Sequence, residues 1–296
     1  MFAIPVTDGA ASIPCAEGDG SAAPRAAGRL PAGFLDSITP DTVSADILAL
    51  QSLGTRYTYS DKADEAALYI MGRFSSMGLT AYRQSFFYNG FTMSNVVAVL
   101  PGRNASLPWC VLGAHYDSAN GSDSYLNPYA PAPGADDDAS GVAAVLAAAG
   151  AFTRAPVNAT ILFAAFAAEE QGRIGSAEFV RQLKENDTRL AGALCFDMIG
   201  YNHRYAKVDL VSNAESRWLS ERAQYLAYGQ GILTELVVTN STPYRWSDQV
   251  SFWERGYPAM YFIEDDNPTE DSPHFEANPY YHTGGDTLDK LNARQR

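Results

Sequence analysis

Continuous runs of apolar residues alternate along this chain with stretches in which apolar side chains recur every three or four positions. The run 161–167 is of the continuous kind, which is typical of strands covered on both faces in a mainly parallel sheet. Ala66, Ile70 and Phe74 show helical spacing, and Gly78 would end that helix. The alternation predicts an α/β fold, a three-layer α/β/α sandwich around a mainly parallel, mixed sheet.

The same patterns predict where the elements lie. Helices are predicted at 46–53, 62–77, 141–152, 176–184, 215–228 and 248–254. Strands are predicted at 95–100, 109–113, 160–168, 190–198, 207–211, 233–238 and 259–263. Residues 1–33, rich in Ala, Gly, Ser and Pro without a period, are predicted to form a mobile tail, which leaves 34–296 as a single domain. The acidic segment 264–280 is long for a compact loop, and such loops are usually functional or mobile.

Charge and composition narrow the classes of function. A formal net charge of -13 would repel phosphate backbones and anionic lipid, so we expect no nucleic-acid or membrane-surface partner. No run approaches the roughly 18 apolar residues of a membrane span.

The start of the chain, residues 1–5, lacks the basic region and apolar run of a signal peptide, which favours an intracellular protein or part of a longer precursor. Cys15, Cys110 and Cys195 are too few for a disulfide framework.

Histidine and acidic residues follow three of the predicted strands. His115, Glu169 and Asp197 each come at the end of a different strand, and ligands bind beyond the carboxyl ends of strands in open α/β sheets. Each has a simpler explanation when taken alone: a hydrogen-bonded core histidine, a solvated strand end or, for Asp138, a helix cap. Their shared placement favours one site. Carboxylates packed together there would repel one another, so a cation is expected among them.

Several segments of the chain, in order, resemble the co-catalytic di-zinc aminopeptidases, the family of the secreted bacterial leucyl aminopeptidases. They are Ala-Pro-Gly-Ala-Asp-Asp-Asp-Ala-Ser-Gly at 132–141, Ala-Ala-Glu-Glu-Gln-Gly at 167–172, Phe-Asp-Met-Ile-Gly-Tyr at 196–201, Ser-Asp at 247–248 and Tyr-His-Thr at 281–283. The match runs from about residue 44 to residue 291. The resemblance implies the zinc exopeptidase (phosphorylase/hydrolase-like) fold, a monomer, and a secreted or extracytoplasmic location.

The resemblance also implies a set of metal ligands. Asp137 would bridge two zinc ions, His115 and Asp197 would complete one site, and Glu170 with His282 the other. Two imidazoles and three carboxylates, with no thiolate, independently suit zinc, with Co²⁺ or Mn²⁺ as substitutes.

Other residues are implied to act on the substrate or on the ligands. Glu169 would be the general base; because adjacent side chains on an extended segment diverge, it should not bind the same ion as Glu170. Tyr281 would hydrogen-bond the oxyanion, although a packed loop aromatic explains it as well. Asp117 would orient His115, since a carboxylate two residues along a strand lies on the same face. In relatives the peptide bond after the bridging aspartate is often cis.

Metal-assisted removal of the N-terminal residue from peptides with a free N-terminus is therefore the predicted function. Glutaminyl cyclases share the fold but work with one zinc ion. Carboxypeptidases and dipeptidases of related architecture need cationic groups for a terminal carboxylate, and no arginine cluster adjoins these motifs. A receptor-like module without activity is the third alternative, but such modules lose ligands.

The chain departs from the family pattern in two places. Gln249 stands where relatives commonly have histidine, and the sequence ends where relatives continue into a closing helix, so that this helix is expected to be shortened. His203 and His274 match no family role and are expected at the surface. An aromatic-rich stretch is expected to form core or to line a pocket for a bulky apolar residue: Phe252, Trp253, Tyr257, Met260, Tyr261 and Phe262.

Overall fold

The computed structural model describes residues 33–122, 125–239, 246–265 and 274–292. Nearly all of the predicted tail, residues 1–33, lies outside the described residues. The helices are α1 (Pro40–Gln51), α2 (Asp61–Ser76), α3 (Ala139–Phe152), α4 (Ile174–Glu185), α5 (Arg217–Tyr228) and α6 (Gln249–Trp253). The strands are β1 (Thr80–Tyr88), β2 (Phe91–Leu100), β3 (Trp109–His115), β4 (Gly121–Ser122), β5 (Tyr125–Leu126), β6 (Ile161–Phe166), β7 (Leu190–Phe196), β8 (Lys207–Ser212), β9 (Leu233–Val238) and β10 (Ala259–Ile263).

Eight of the strands form one mixed sheet in the order β1-β2-β6-β3-β7-β10-β8-β9. The pairs β6–β3, β3–β7, β7–β10 and β8–β9 are parallel. The pairs β1–β2, β2–β6 and β10–β8 are antiparallel. The centre of the sheet is therefore parallel, which brings the carboxyl ends of β6, β3, β7 and β10 to one edge.

Helices cover both faces of this sheet. Along β2, Val96 and Ala98 pack in one core cluster and Val97 in another, because alternate side chains of a strand point to opposite faces. The first cluster includes Phe74 of α2 together with residues of α1 and α3. The second includes Phe179 of α4 together with residues of α6. The predicted three-layer α/β/α sandwich is confirmed, and the long apolar runs in β3 and β6 are explained by burial on both faces.

Strand β1 is absent from the sequence-based prediction. It lies at the edge of the sheet, and of its nine side chains only that of Gln84 is buried. Its sequence therefore lacks the apolar run that marks the central strands. An edge strand with one partner needs little apolar surface, and its pattern is correspondingly weak.

Helix α1 begins earlier than the apolar spacing predicts. Its first residue is Pro40 rather than residue 46, because the capping residues lie before the apolar positions. The Thr39 hydroxyl accepts a hydrogen bond from the Thr42 N–H at 3.2 Å, and the Thr39 N–H donates to the Thr42 hydroxyl at 3.1 Å. Pro40 suits the first helical position, where no N–H partner is needed.

No helix in the described part of the chain combines the length and the apolarity that crossing a membrane requires. Cys195 is buried, and Cys110 is half-buried. His203 is exposed, as predicted. The prediction for His274 is only partly right, because this residue is half-buried and its ring Nδ1 pairs with the Glu235 carboxylate.

Candidate metal centre

The sheet brings three predicted site segments together at one edge. His115, the last residue of β3, is in register with Phe166 at the end of β6, and Gly113 is in register with Cys195 of β7. Glu169 and Asp197 follow the ends of those two strands. Parallel pairing in this register therefore places all three segments side by side, as predicted from the strand ends.

The Asp137 segment reaches the same edge from the loop before α3. Asp138 is the N-cap of α3, and its carboxylate accepts a hydrogen bond from the Gly141 N–H at 2.9 Å, which confirms the predicted cap. The peptide bond between Asp137 and Asp138 is cis, as the resemblance implies. On the other side of the loop, the two carboxylate oxygens of Asp286 accept hydrogen bonds from the N–H groups of Asp136 and Asp137, at 2.9 and 3.0 Å.

One group of potential ligands contains His115, Asp137 and Asp197, whose ligand atoms all lie within 4.8 Å of one another. The His115 Nε2 atom is 3.3 Å from Asp137 Oδ1 and 3.6 Å from Asp197 Oδ1. His115 and Asp137 are buried, and the Asp197 side chain is 13% exposed. Three donors from three segments therefore face one small volume.

A second group contains Asp137, Glu170 and His282, again with ligand atoms within 4.8 Å of one another. The His282 Nε2 atom lies 3.2 Å from Asp137 Oδ2 and 2.9 Å from Glu170 Oε2. Asp137 thus presents Oδ1 to one histidine and Oδ2 to the other. The five predicted ligands converge in two sets that share Asp137, the arrangement required to hold a pair of ions.

The electrostatics of the two sets are those of histidines surrounded by carboxylates. Burial opposes the charge on His115, but the carboxylates of Asp117, Asp137 and Asp197 raise its pKa well above the ordinary value. Burial likewise opposes the charge on His282, but Asp137 and Glu170 raise its pKa to about 11. Protonated imidazoles therefore supply the positive charge among these carboxylates when no metal is bound.

The pKa values of the Asp137 and Glu170 carboxylates shift in opposite directions. Burial raises the pKa of Asp137, but the two protonated imidazoles outweigh it and hold this pKa below its ordinary value. Burial, and then the charge of Asp137, raise the pKa of Glu170 to about 7. Asp137 therefore stays ionised between the two histidines, which suits a bridging ligand.

The donors fit zinc. Imidazole nitrogens and carboxylate oxygens are the ligands that zinc takes in proteins, and carboxylates brought this close together need a shared cation. Glu170 Oε1 and His282 Nδ1 are buried without a hydrogen-bond partner in the part of the chain that the structure describes. A buried carboxylate oxygen without a partner is costly, and coordination of an ion would remove that cost.

Glu169 belongs to neither set of potential ligands, although it precedes Glu170. Its carboxyl group lines the cavity next to the two sets, and burial raises its pKa well above the ordinary value. Both adjacent glutamates line the cavity, but Glu170 contacts His282, whereas Glu169 lies outside both ligand sets.

Asp117 holds the glutamates as well as His115. Its two carboxylate oxygens accept hydrogen bonds from the N–H groups of Glu169 and Glu170, at 3.1 and 3.3 Å, and one of them also accepts from the Thr58 hydroxyl at 2.8 Å. Strand β3 ends at His115, so Asp117 lies beyond the strand. The prediction that His115 and Asp117 share one face of a strand is therefore wrong. The His115 Nδ1 is 3.2 Å from the Asp117 carbonyl oxygen and 3.7 Å from its nearer carboxylate oxygen.

Replacing Asp117 with alanine is therefore expected to lower turnover by roughly 10- to 100-fold, the range for groups that orient metal ligands. The loss arises because the Glu169–Glu170 backbone loses both of its hydrogen bonds to this carboxylate, and the His115 ring loses a carboxylate 3.7 Å away while it keeps the Asp117 carbonyl oxygen. Steady-state kinetics on zinc-loaded protein measure this, with Thr58→Val as the matched control that keeps the carboxylate. An Asp117→Ala protein as active as the control would contradict this role.

Tyr281 lies beside the second set. Its ring stacks on that of His282 at 3.8 Å between centroids, and the residue is 44% exposed. It lines the cavity rather than the core. The predicted contact of its hydroxyl with the oxyanion stays a prediction.

The cavity over the two sets has a volume of about 720 Å³. Of the aromatic-rich stretch predicted to form core or pocket, Phe252, Tyr257 and Tyr261 pack in the second core cluster, and Tyr261 also lines the cavity. Apolar and aromatic side chains from other segments complete the wall: Leu126, Met198, Trp246, Ile263 and Phe275. The pocket is therefore built from separate segments of the chain, which sequence spacing does not indicate.

Sequence reasoning missed several buried charged residues around the centre: Arg56, Glu264 and Asp286. Burial raises the pKa of Asp248 and that of Asp286, each to about 7. Arg56, Glu264 and Asp286 belong to no motif with ligand spacing, and only their contacts in the fold reveal them. Asp248, which precedes Gln249, was singled out only for its match to the family pattern.

Comparison with known proteins identifies relatives over most of the chain. The family model described as "Peptidase family M28" matches residues 95–295. Leucine aminopeptidase 1 of Coccidioides posadasii is 27% identical over 278 residues, covering 88% of this chain and 68% of that protein. A "Probable zinc metalloprotease" of Pyrenophora teres f. teres is 32% identical over 188 residues, 56% of this chain but only 40% of that protein.

Solved structures of other proteins share this fold. LapB from Legionella pneumophila superimposes with a TM-score of 0.75 at 26% identity, covering 89% of this chain and 69% of that one. The matched segment 95–295 contains all five potential ligands and Glu169. The chain belongs to peptidase family M28.

Proposed function

We propose that this protein is a zinc aminopeptidase that removes the N-terminal residue of peptides with two metal ions and with Glu169 as the general base. Membership of family M28 and the leucine aminopeptidase relatives support a metallo-aminopeptidase. The observation that carries the two-metal proposal is the position of Asp137, whose two carboxylate oxygens face different histidines at 3.3 and 3.2 Å.

The donors that would hold the ions are His115, Asp137 and Asp197 for one, and Asp137, Glu170 and His282 for the other. When bound, zinc supplies Lewis acidity toward the scissile carbonyl and lowers the pKa of water to about 7. Co²⁺ and Mn²⁺ are the expected substitutes, because the same nitrogen and oxygen donors accept them.

Glu169 moves the proton in this proposal. Its carboxylate takes a proton from the attacking water and returns it to the nitrogen of the leaving amine. The hydrogen bond from its N–H to Asp117, at 3.1 Å, fixes the backbone from which that carboxylate projects. In this proposal Tyr281 donates its hydroxyl proton in a hydrogen bond to the oxygen on which negative charge develops.

The cavity wall is proposed to receive the side chain of the N-terminal residue. Met198, Trp246 and Ile263 give it an apolar surface, and Tyr261 adds an aromatic one. Such a wall favours a bulky apolar side chain, because burying one gains about 1.5–3 kcal/mol relative to leaving it in water.

Release of amino acids from matched peptides with free and N-acetylated termini tests this function. Zinc-loaded protein should release the first residue from the free peptides only, and zinc-free protein should release none. Cleavage that ignores acetylation would contradict aminopeptidase activity. A peptide with N-terminal glutamine separates the cyclase alternative, since an aminopeptidase releases free glutamine and a cyclase releases ammonia.

Zinc binding is expected to release at least two protons per chain at pH 7, one from each histidine, with a further fraction of a proton from Glu170, whose pKa is raised to about 7. The pKa of His282 is raised to about 11 and that of His115 is also well above its ordinary value, so both rings carry a proton in the metal-free protein. Ligation requires the neutral ring, and zinc affinity should therefore fall as the pH is lowered. Calorimetry in buffers of different ionisation enthalpy counts the protons; binding without proton release would contradict this electrostatic account.

A further inference from the structure

Arg56 is the largest fully buried side chain among the described residues, although it is charged. It lies in the connection between α1 and α2, far in sequence from every potential ligand. The guanidinium group keeps its charge at any pH that proteins tolerate, so burying it costs several kcal/mol unless other groups compensate. Its surroundings therefore need an explanation beyond packing.

The guanidinium spans two loops that carry metal ligands. Its Nε donates to the Tyr116 carbonyl at 2.7 Å, in the segment that follows His115. Its Nη1 and Nη2 donate to the carbonyls of Pro133 and Gly134, at 2.5 and 2.8 Å, just before Asp137. One rigid side chain thus sets the separation of the two segments that supply His115 and the bridging carboxylate.

Backbone contacts tie Arg56 to the same place. Its N–H donates to the Ser118 hydroxyl at 2.9 Å, and that hydroxyl donates to the Ala132 carbonyl at 2.7 Å. A Cβ added at Gly134, whose φ is +55°, would lie 2.7 Å from Arg56 Nη2 and 2.3 Å from the Asp137 carbonyl oxygen. The loop is therefore built so closely around the guanidinium that no side chain fits between them.

The charge of Arg56 also acts on the centre. Burial lowers the pKa of Arg56, and the carboxylates of Asp286, Asp137, Asp138 and Asp117 oppose this effect by their attraction. Asp286 accepts hydrogen bonds from the N–H groups of Asp136 and Asp137 while Arg56 binds carbonyls of the same loop. The Arg56 cation therefore holds the Asp137 loop by its carbonyl groups, and the Asp286 carboxylate holds it by its N–H groups.

We propose that Arg56 is a positioning residue for the metal centre, fixing the His115 and Asp137 segments at the spacing that two zinc ions require. The inference rests on the proposed two-metal function. It assigns to Arg56 an effect on metal affinity beyond its effect on stability, because its three hydrogen bonds join ligand-bearing segments to each other rather than to the core.

Zinc titration of metal-free protein in competition with a chromophoric chelator tests this inference. The variants are Arg56→Lys, which keeps the charge without the planar fork, and Arg56→Met, which keeps the apolar stem alone. We expect zinc affinity to fall by roughly 10- to 100-fold in Arg56→Lys, and further in Arg56→Met. Phe74→Leu is the control, since Phe74 is equally buried in the α2 core away from the centre.

A second readout separates metal binding from stability. The rise in Tm on adding a fixed excess of zinc measures affinity relative to each variant's own folded state. That rise should shrink in the Arg56 variants and stay unchanged in Phe74→Leu, whatever their Tm without metal. If neither Arg56 variant folds, Ser118→Ala, which removes the hydroxyl between Arg56 and Ala132, should lower zinc affinity in the same way.

Wild-type zinc affinity in the Arg56 variants, or in Ser118→Ala when those do not fold, overturns the inference. Affinity reduced no more than in Phe74→Leu overturns it as well. The proposed function fails separately, if the wild-type protein itself binds fewer than two zinc ions in the titration.

Discussion

Alanine at position 169 is expected to lower kcat by roughly 100- to 10,000-fold while both zinc ions stay bound, because general acid–base catalysis contributes a factor of that size. Glu169 belongs to neither set of ligands, so its removal leaves the donors in place. The measurement is single-substrate kinetics on protein whose zinc content has been determined by elemental analysis. Glu169→Gln should behave like Glu169→Ala, since the amide fills the same space but cannot accept the proton.

Glu185→Gln is the matched control for this experiment. Glu185 ends helix α4, its side chain is 59% exposed, and it pairs with Arg181 instead of facing the cavity. Its amide variant should retain normal turnover. Full activity in Glu169→Ala with both metals present would show that another group moves the proton.

The second large effect is expected from His282→Ala, which should lower the zinc content from two ions to one per chain. The group of Asp137, Glu170 and His282 would keep only two donors, whereas His115 and Asp197 remain to hold the other ion. Losing one ion removes several kcal/mol of transition-state stabilisation, so turnover should fall at least about a thousandfold.

His203→Ala supplies the control for this variant, because His203 is exposed and lies outside both ligand groups. Elemental analysis after dialysis against trace zinc measures the content of both proteins. A His282→Ala protein that retains two ions would contradict the assignment of His282 as a ligand. Loss of both ions would instead show that the two sites fill cooperatively.

The central sheet and the positions of His115 and Asp197 could be predicted from sequence for one physical reason, whereas the family resemblance implied Asp137, Glu170 and His282 as ligands. Strands buried on both faces must be apolar along their whole length, so polar residues after such a run mark the strand end. His115 and Asp197 stand out in this way at the ends of β3 and β7. Parallel pairing then brings these ends to one edge, where the chemistry is concentrated.

The parts that escaped prediction depend on contacts between distant segments. The edge strand β1 is too exposed to carry an apolar run, and the cap at Thr39 lies before the first apolar position of α1. Arg56 has no motif around it, and its role emerges only from hydrogen bonds to carbonyls about 60 and 78 residues away. Every residue has a backbone carbonyl, so the sequence does not indicate which carbonyls accept these hydrogen bonds.

The roles inferred for Asp117, Arg56 and Asp286 share one physical basis. Each binds backbone groups of the segments that carry the ligands, at distances from 2.5 to 3.3 Å. Backbone placement decides where a short aspartate or a histidine ring can reach. The centre is therefore held by its supporting charges as much as by its own donors.

Anomalous diffraction at the zinc absorption edge, from crystals of the zinc-loaded protein, tests the central claim most directly. Two peaks are predicted, about 3.5–4 Å apart, with Asp137 between them. One should lie against His115 and Asp197, and the other against Glu170 and His282. A single peak, or peaks away from these five side chains, would contradict the binuclear centre.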